Sequence, residues 1–289
     1  MVVLDGNAVS KARRQELATR IAIFKQQTGI KPGLAVVLVG EDPASQVYVA
    51  GKEKACEQVG VESFRYNLPS TTSQVELDQL LIKLNGDTRV HGILVQFPLP
   101  GKLEKEAVLR RISPLKDADG LSAENLGLLW GGCPRVAPCT PSGVMSILRH
   151  YQISLSGKRA VVVGRSHLVG LPMAQLLQMS DATVTVCHSK TTNIREYLQS
   201  AEVAVIAAGK PRLFGREDFN KDAVVIDVGI HRLQTPVNGK SLCGDVRYEE
   251  LDGWARAATP VPGGVGPMTI TTLLENTVAL AELSLSQKS

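Results

Sequence analysis

The stretch Arg159-Ala160-Val161-Val162-Val163-Gly164-Arg165-Ser166-His167-Leu168-Val169-Gly170 decides the reading of this chain. A short β-branched run enters a glycine turn and continues into a helical pattern. In a doubly wound sheet, that arrangement turns backbone N–H groups toward a phosphate at the helix N-terminus. The glycine spacing departs from the common dinucleotide fingerprint. With Gly164 in the first position, the second falls on Ser166 and the third on Val169, and Gly170 comes one place late. An ordinary strand-to-helix turn would also account for the run taken alone.

The next strand-like segment, Thr183 to Cys187, supports the dinucleotide reading because it ends where a ribose-contacting residue belongs. In NAD sites that position is acidic and accepts from the ribose 2′-hydroxyl. Here the chain reads His188-Ser189-Lys190-Thr191, with no carboxylate. A carboxylate would repel a 2′-phosphate, whereas Ser189, Lys190 and Arg165 can donate to one. The expected cofactor is therefore NADP. The alternative is that Lys190 and Arg165 are only solvated surface charges.

At 289 residues the chain is long enough for two domains of roughly 130–150 residues each. No window holds about 18 uninterrupted apolar residues, so no membrane span is expected. Met1-Val2-Val3-Leu4-Asp5-Gly6 lacks a basic region followed by an apolar core, which argues against a secretory signal. The net charge of +4 is dispersed, and no Lys/Arg block with interleaved aromatics points to nucleic acid. Cys56, Cys133, Cys139, Cys187 and Cys243 are odd in number and never paired as Cys-x-x-Cys, which fits a reducing cytoplasm. The five histidines form no metal-ligand spacing with one another or with cysteine, so no metal is expected.

Along the first half, Leu34 to Val39 reads as a buried strand, and Glu41 to Gly60 as a helix with a capped start. A second strand over Val61 to Leu68 and a helix over Thr71 to Leu84 follow, then a third strand over Gly92 to Gln96. This alternation favours parallel βαβ units. The Pro- and Gly-rich span from Gly131 to Gly143 marks a crossover between domains. Beyond it, strands are expected at 159–163, 183–187, 203–207 and 223–228, with helices at 170–179 and 192–200. Pro260 to Pro267 reads as a rigid loop opening a helix from Met268. The fold class is α/β, an N-terminal βαβ domain over 1–140 and a Rossmann-like doubly wound parallel-sheet domain over 141–267.

Tyr48 and Lys52 lie four residues apart on one helix face, offering an aromatic surface and an amine. Such a pair on an exposed helix most often has no special role. Gln96, however, stands at the carboxyl end of a strand, where open α/β sheets hold ligands. Lys116-Asp117-Ala118-Asp119-Gly120 adds carboxylates in a loop expected to lie outside any core.

Taken together, Tyr48-Val49-x-x-Lys52-x-Lys54-Ala55-Cys56, Val95-Gln96-Phe97-Pro98-Leu99-Pro100, Lys116 to Gly120, Pro138-Cys139-Thr140-Pro141-Ser142-Gly143, Gly164-Arg165-Ser166 and Pro260 to Pro267 span nearly the whole chain. In this order they resemble the bifunctional methylenetetrahydrofolate dehydrogenase/methenyltetrahydrofolate cyclohydrolase family. The resemblance implies an NADP-dependent oxidation of 5,10-methylenetetrahydrofolate, then hydrolysis to 10-formyltetrahydrofolate in a cleft between the two domains. It also implies a homodimer, and a C-terminal helix over about 268–289 that packs back onto the folate domain.

The resemblance also implies roles for individual residues. Lys52 is the proton-transfer residue and Gln96 positions it. Asp119 binds the pterin donors, Tyr48 stacks on the aminobenzoyl ring, and the backbone of Pro262, Gly263 and Gly264 lines the folate pocket. Gly164, Arg165, Ser166 and Ile230 hold the dinucleotide. One departure stands at 125–128: Asn125-Leu126-Gly127-Leu128 has a leucine where an arginine is expected.

In the implied chemistry the folate nitrogen lone pairs drive hydride loss, leaving a methenyl cation that water attacks. A cation about 5 Å from Lys52, at an effective dielectric near 20, costs the ammonium roughly 3 kcal/mol, about two pKa units. Substrate charge is thus the expected activator of Lys52. Two other readings fit less of the chain: an NADP-dependent dehydrogenase of a small hydroxy or amino acid, and a non-catalytic NADP sensor. Replacing Arg165 or Ser189 with Ala should lower the NADP-over-NAD ratio of kcat/KM by about ten-fold, the scale of one charge-assisted hydrogen bond. An unchanged ratio would reject the 2′-phosphate assignment.

Overall fold

The computed structural model describes residues 1–237 and 240–286. In chain order its elements are β1 (Val2–Val3), α1 (Gly6–Thr28), β2 (Gly33–Val39), α2 (Pro43–Val59), β3 (Glu62–Leu68), α3 (Gln74–Gly86), β4 (Gly92–Val95), α4 (Lys105–Arg111), α5 (Ala123–Trp130) and α6 (Cys139–His150). There follow β5 (Arg159–Val163), α7 (Gly170–Gln178), β6 (Thr183–Cys187), α8 (Ile194–Ser200), β7 (Val203–Ile206), β8 (Val224–Asp227), β9 (His231–Val237), β10 (Lys240–Cys243), β11 (Ala257–Ala258) and α9 (Val265–Ser286). The chain divides into two compact units. One comprises Ala12–Cys139 with the residues from Ile270 onward; the other comprises Met1–Lys11 with Thr140–Thr269.

The first unit is built on a parallel sheet of order β3-β2-β4. All seven residues of central β2 are buried, because both faces of a parallel sheet are covered. Its side chains alternate between two cores. Leu34, Val36 and Leu38 join Val49, Ala55 and Val59 of α2, Leu17 and Ile21 of α1, and Leu273, Leu274 and Val278 of α9. Ala35, Val37 and Val39 pack instead on Leu77, Leu81 and Leu84 of α3.

Local signals fix the helix ends. Asp42 accepts from the Ser45 N–H at 2.8 Å ahead of Pro43, and Gly60 closes α2 in the left-handed region at φ 90°. Ser73 and Glu76 form a reciprocal capping box, so α3 starts at Gln74 rather than Thr71.

The second unit carries six parallel strands in the order β6-β5-β7-β8-β11-β1. Ala160, Val162, Val205 and Ile226 face Ile147 and Leu148 of α6 and Met173 and Leu177 of α7. Val161, Val163, Ala204 and Val225 face the opposite way, toward Leu198 of α8, Phe214 and Phe219. Cores on both faces make the sheet doubly wound. Strand β9 pairs antiparallel with β10 outside it.

Three expectations change. Residues 1–11, expected with the N-terminal domain, pack with the second unit instead: β1 pairs with β11 and Leu4 is fully buried in that unit's core. Helix α9 begins at Val265, three residues early, because a proline in the first turn removes no needed hydrogen bond and Pro267 fits there. The last residues of that expected helix, 287–289, lie outside the described residues. The Gly131–Gly143 span is no plain linker, since α6 starts within it at Cys139. No helix among the described residues is long and apolar enough to cross a membrane.

Leu274 is wholly buried among β2, α1 and α2 side chains. Leu274→Ala should lower unfolding free energy by about 2–5 kcal/mol, read from the urea midpoint at unchanged m-value.

Candidate active site

Helix α2 places Tyr48 one turn before Lys52. Lys52 is only 8% exposed, and its Nζ donates to Gln96 Oε1 at 2.6 Å. Gln96 follows the last residue of β4, and its backbone N–H continues the ladder to Val37 O at 2.9 Å. Its Nε2 donates to Phe97 O at 2.7 Å, which leaves Oε1 free to accept from the amine. Burial drives the Lys52 pKa below its ordinary value, and the Asp119 carboxylate opposes that shift. Desolvation thus acts on Lys52 in the free protein, in the same direction as the effect expected of substrate charge. Tyr48 is 39% exposed, and partial burial raises its phenol pKa.

The two carboxylates of Lys116–Gly120 have opposite roles. Asp117 is buried: Oδ2 accepts from the Ser122 N–H at 2.7 Å and from Asn125 Nδ2 at 3.0 Å, and the residue bridges to Ile93. The expectation that this loop lies outside the core fails for Asp117, which needs burial to fasten the loop. Lys116 likewise serves the fold, donating to Leu84 O and Asp87 O at the end of α3. Asp119 stays partly exposed, and burial raises its pKa while Lys52 and a hydrogen bond with Cys139 lower it.

Two neighbours that the sequence did not assign frame Asp119. Cys139 is buried, with its thiol pushed well above its ordinary range by burial and by Asp119. Asn276 of α9 donates to Ala118 O at 2.9 Å and Ala137 O at 3.0 Å, clamping the peptide before Asp119 to the segment before Cys139. At the 125–128 departure, Arg135 Nη1 donates to Asn125 Oδ1 at 2.8 Å, so a guanidinium from ten residues on reaches this turn.

In the second unit, Gly164 ends β5 at φ 131°, and a Cβ there would overlap the carbonyl oxygen of Ala207 after β7. A Cβ on Gly170 would overlap Gly164 O, which explains the glycine one place late: it lets α7 start against the turn. Ser166 Oγ accepts from the Val169 and Gly170 N–H groups at 3.2 and 3.4 Å, closing the turn that leads into α7. Strands β6 and β7 flank β5 on opposite sides, so the carboxyl ends of β5 and β7 form the topological switch point where such sheets bind ligands. Arg165, Ser189 and Lys190 are exposed near it in sequence, while His188 and Thr191 fold their own turn, His188 N–H donating to Thr191 Oγ1 at 2.9 Å. Glycines that bring backbone close at the switch point and no acid after β6 fit a dinucleotide with a 2′-phosphate.

Ile230 is 47% exposed for a large apolar residue and follows β8. Pro262, Gly263 and Gly264 belong to this unit, where Asn7 N–H donates to Gly263 O at 3.2 Å and Gly264 packs on Pro260 O. Lys52, Gln96 and Asp119 belong to the other. Beneath the ends of β7 and β8 lie two buried carboxylates, Asp227 and Asp245. Burial pushes the Asp227 carboxyl up to about 7, against the pull of the Val246, Asp245 and Gly229 N–H groups. An acid closing an apolar strand, Val224-Val225-Ile226-Asp227, was the sequence signal for this pair. Among the described residues no cluster of His, Cys, Asp and Glu could hold a metal ion.

Gly164→Ala should weaken NADP binding at least ten-fold and destabilise the chain by about 1–3 kcal/mol, from left-handed strain and the Ala207 overlap. Titrating cofactor fluorescence beside a thermal melt would check both.

Comparison with known proteins places both halves of the chain. Residues 4–119 match the family description tetrahydrofolate dehydrogenase/cyclohydrolase, catalytic domain, and residues 138–285 match its NAD(P)-binding domain. A bifunctional protein FolD of Bdellovibrio bacteriovorus is 58% identical over 282 residues, covering 98% of this chain and 97% of that protein. The crystal structure of bifunctional FolD from Campylobacter jejuni, a methylenetetrahydrofolate dehydrogenase/cyclohydrolase, superposes with TM-score 0.94 at 46% identity, covering 98% and 99% of the two chains. The Trypanosoma brucei enzyme, solved with NADP and an inhibitor, gives TM-score 0.93 at 41% identity over 99% of this chain and 98% of its own. With both domains matched and a relative above half identical end to end, the chain belongs to the tetrahydrofolate dehydrogenase/cyclohydrolase family.

Proposed function

We propose that Lys52, Gln96 and Asp119 are the working groups of this dehydrogenase/cyclohydrolase, and that Gly164, Arg165, Ser166, Ser189 and Ile230 hold its NADP. The buried 2.6 Å contact between the Lys52 amine and the Gln96 amide, with the Asp119 carboxylate acting on the same amine, carries this reading.

When bound, NADP supplies the hydride acceptor. The residues around the folate have a modest task in that step, since the lone pairs on N5 and N10 expel hydride from the methylene carbon between them. Asp119 accepts from the pterin amino and ring N–H donors, and Tyr48 stacks on the aminobenzoyl ring. Together they hold the carbon in one place, and placement is the main requirement of the step.

Hydrolysis asks more of the protein. A neutral Lys52 amine takes a proton from the water adding to the methenyl carbon. As the bond from that carbon to N5 breaks, the ammonium returns a proton to N5. The product is 10-formyltetrahydrofolate, with one proton released overall. Gln96 keeps the amine in place without adding a second negative charge. The backbone of Pro262, Gly263 and Gly264 is read as part of the folate's surroundings.

Lys52→Met should abolish hydrolysis of methenyltetrahydrofolate, followed by loss of its absorbance. Gln96→Ala should slow it by about 10²-fold, on the scale of general acid–base contributions. Because burial lowers the Lys52 pKa, wild-type hydrolysis should rise with pH as the amine deprotonates, with a midpoint below the ordinary lysine value of about 10.4. Wild-type hydrolysis by Lys52→Met, with a flat pH profile, would overturn the assignment.

A further inference from the structure

The dinucleotide unit contains a hydrogen-bonded device that neither reaction uses directly. Asp245 is completely buried. Its Oδ2 accepts from the Ala208 N–H at 2.6 Å and the Gly209 N–H at 3.0 Å, and its Oδ1 from the Lys210 N–H at 2.9 Å. The same Oδ1 meets His231 Nε2 at 2.7 Å. Three successive main-chain donors converging on one carboxylate form a filled anion nest. It grips the segment directly after Ala207, whose N–H pairs with Val163 O and whose carbonyl abuts Gly164.

Asp227 completes the frame. It accepts from the Gly229 N–H at 2.9 Å, the Asp245 N–H at 3.0 Å and the Val246 N–H at 2.9 Å. Ile230 therefore stands between two fastened residues: Gly229, tied to Asp227, and His231, tied to Asp245. Its exposed side chain is presented on a short arc pinned at both ends. The spacing leaves no slack, since a Cβ on Gly229 or Gly244 would overlap the Asp245 or Asp227 carboxylate respectively.

We infer that Asp245, acting through the Ala208–Lys210 turn and the His231 ring, is the positioning residue of the dinucleotide site, setting Gly164 and Ile230 for NADP without touching it. This rests on the reading that Gly164 and Ile230 hold the dinucleotide. The carboxylate is needed because it accepts four hydrogen bonds on two oxygens. Asn offers one acceptor oxygen, so its amide N–H groups would face N–H donors.

The test compares wild type, Asp245→Asn, His231→Ala and His231→Gln in three measurements. These are KM for NADP in the dehydrogenase assay, hydrolysis of methenyltetrahydrofolate without dinucleotide, and NADP binding by fluorescence. Asp245→Asn should raise the NADP KM roughly ten- to a hundred-fold, the worth of a buried charged hydrogen bond, with hydrolysis within about two-fold of wild type. His231→Ala, at a partly exposed ring, should raise it about three- to ten-fold. His231→Gln, which keeps an N–H donor of similar reach, should recover most of that loss. Should Asp245→Asn fail to fold, the two His231 variants decide.

An NADP KM unchanged in His231→Ala, or hydrolysis falling in step with it, would leave Asp245 a purely structural residue and overturn the inference. Failure of the underlying reading looks different: Gly164→Ala would then bind NADP like wild type.

Discussion

A lysine amine taken out of water but kept within reach of a neutral amide sets the terms for the catalytic unit. An ammonium in that position is strained toward losing its proton, and a carboxylate partner in place of Gln96 would cancel the strain. Gln96 Oε1 can accept from the amine in either protonation state, so it fixes position without fixing charge. That requires the amide's other end to be occupied, which Phe97 O does. It also requires residue 96 to stand just beyond β4, its N–H bonded to Val37 O. The β3-β2-β4 sheet, and the burial of β2 on both faces, can be read as the support that holds one acceptor still.

The dinucleotide unit solves a different problem with the same tool, the carboxyl end of a parallel strand. Here the constraint is close backbone approach rather than desolvation. Gly164, Ala207 and Gly170 come together so tightly that no side chain fits at either glycine. Such closeness lets the backbone of the β5–α7 turn run with no side chain in the way. The first unit thus holds one buried amine against an amide, and the second packs backbone where no side chain fits.

The parts of this architecture that were legible in the sequence share a property: their signal is local and repeated. The apolar runs of β2, β4, β5 and β7 announce buried parallel strands. Asp42-Pro43 and Gly60 bracket α2 from cap chemistry alone. Strands β1 and β11 are two residues each, too short for any period to register, and only their pairing across the chain makes them strands. This is why the first eleven residues fell to the wrong unit. Asp117 and Asp119 show the same limit at the site. They sit two residues apart in one loop, and nothing local distinguishes the one that fastens the loop from the one left partly exposed. The difference comes from Ser122 and Asn125 closing on Asp117. Asn276 was invisible as a neighbour of Asp119 for a like reason, since its hydrogen bonds join residues more than a hundred positions apart.

The buried acids beneath β7 and β8 pose an energetic question. Two carboxylates at 3% and 0% exposure would each cost several kcal/mol if unmet, and apolar residues of similar volume would often serve stability as well or better. Apolar residues cannot, however, hold Ala208, Gly209 and Lys210 in a turn whose N–H groups all point inward. Those donors would be left unsatisfied at the edge of the site, or would turn outward and carry Ala207 with them. With seven acceptances shared between Asp227 and Asp245, the penalty is met by six main-chain N–H groups and the His231 ring. The acids are better understood as scaffolding for loop shape than as contributors to stability. A site that needs backbone geometry more than side-chain chemistry has reason to keep them.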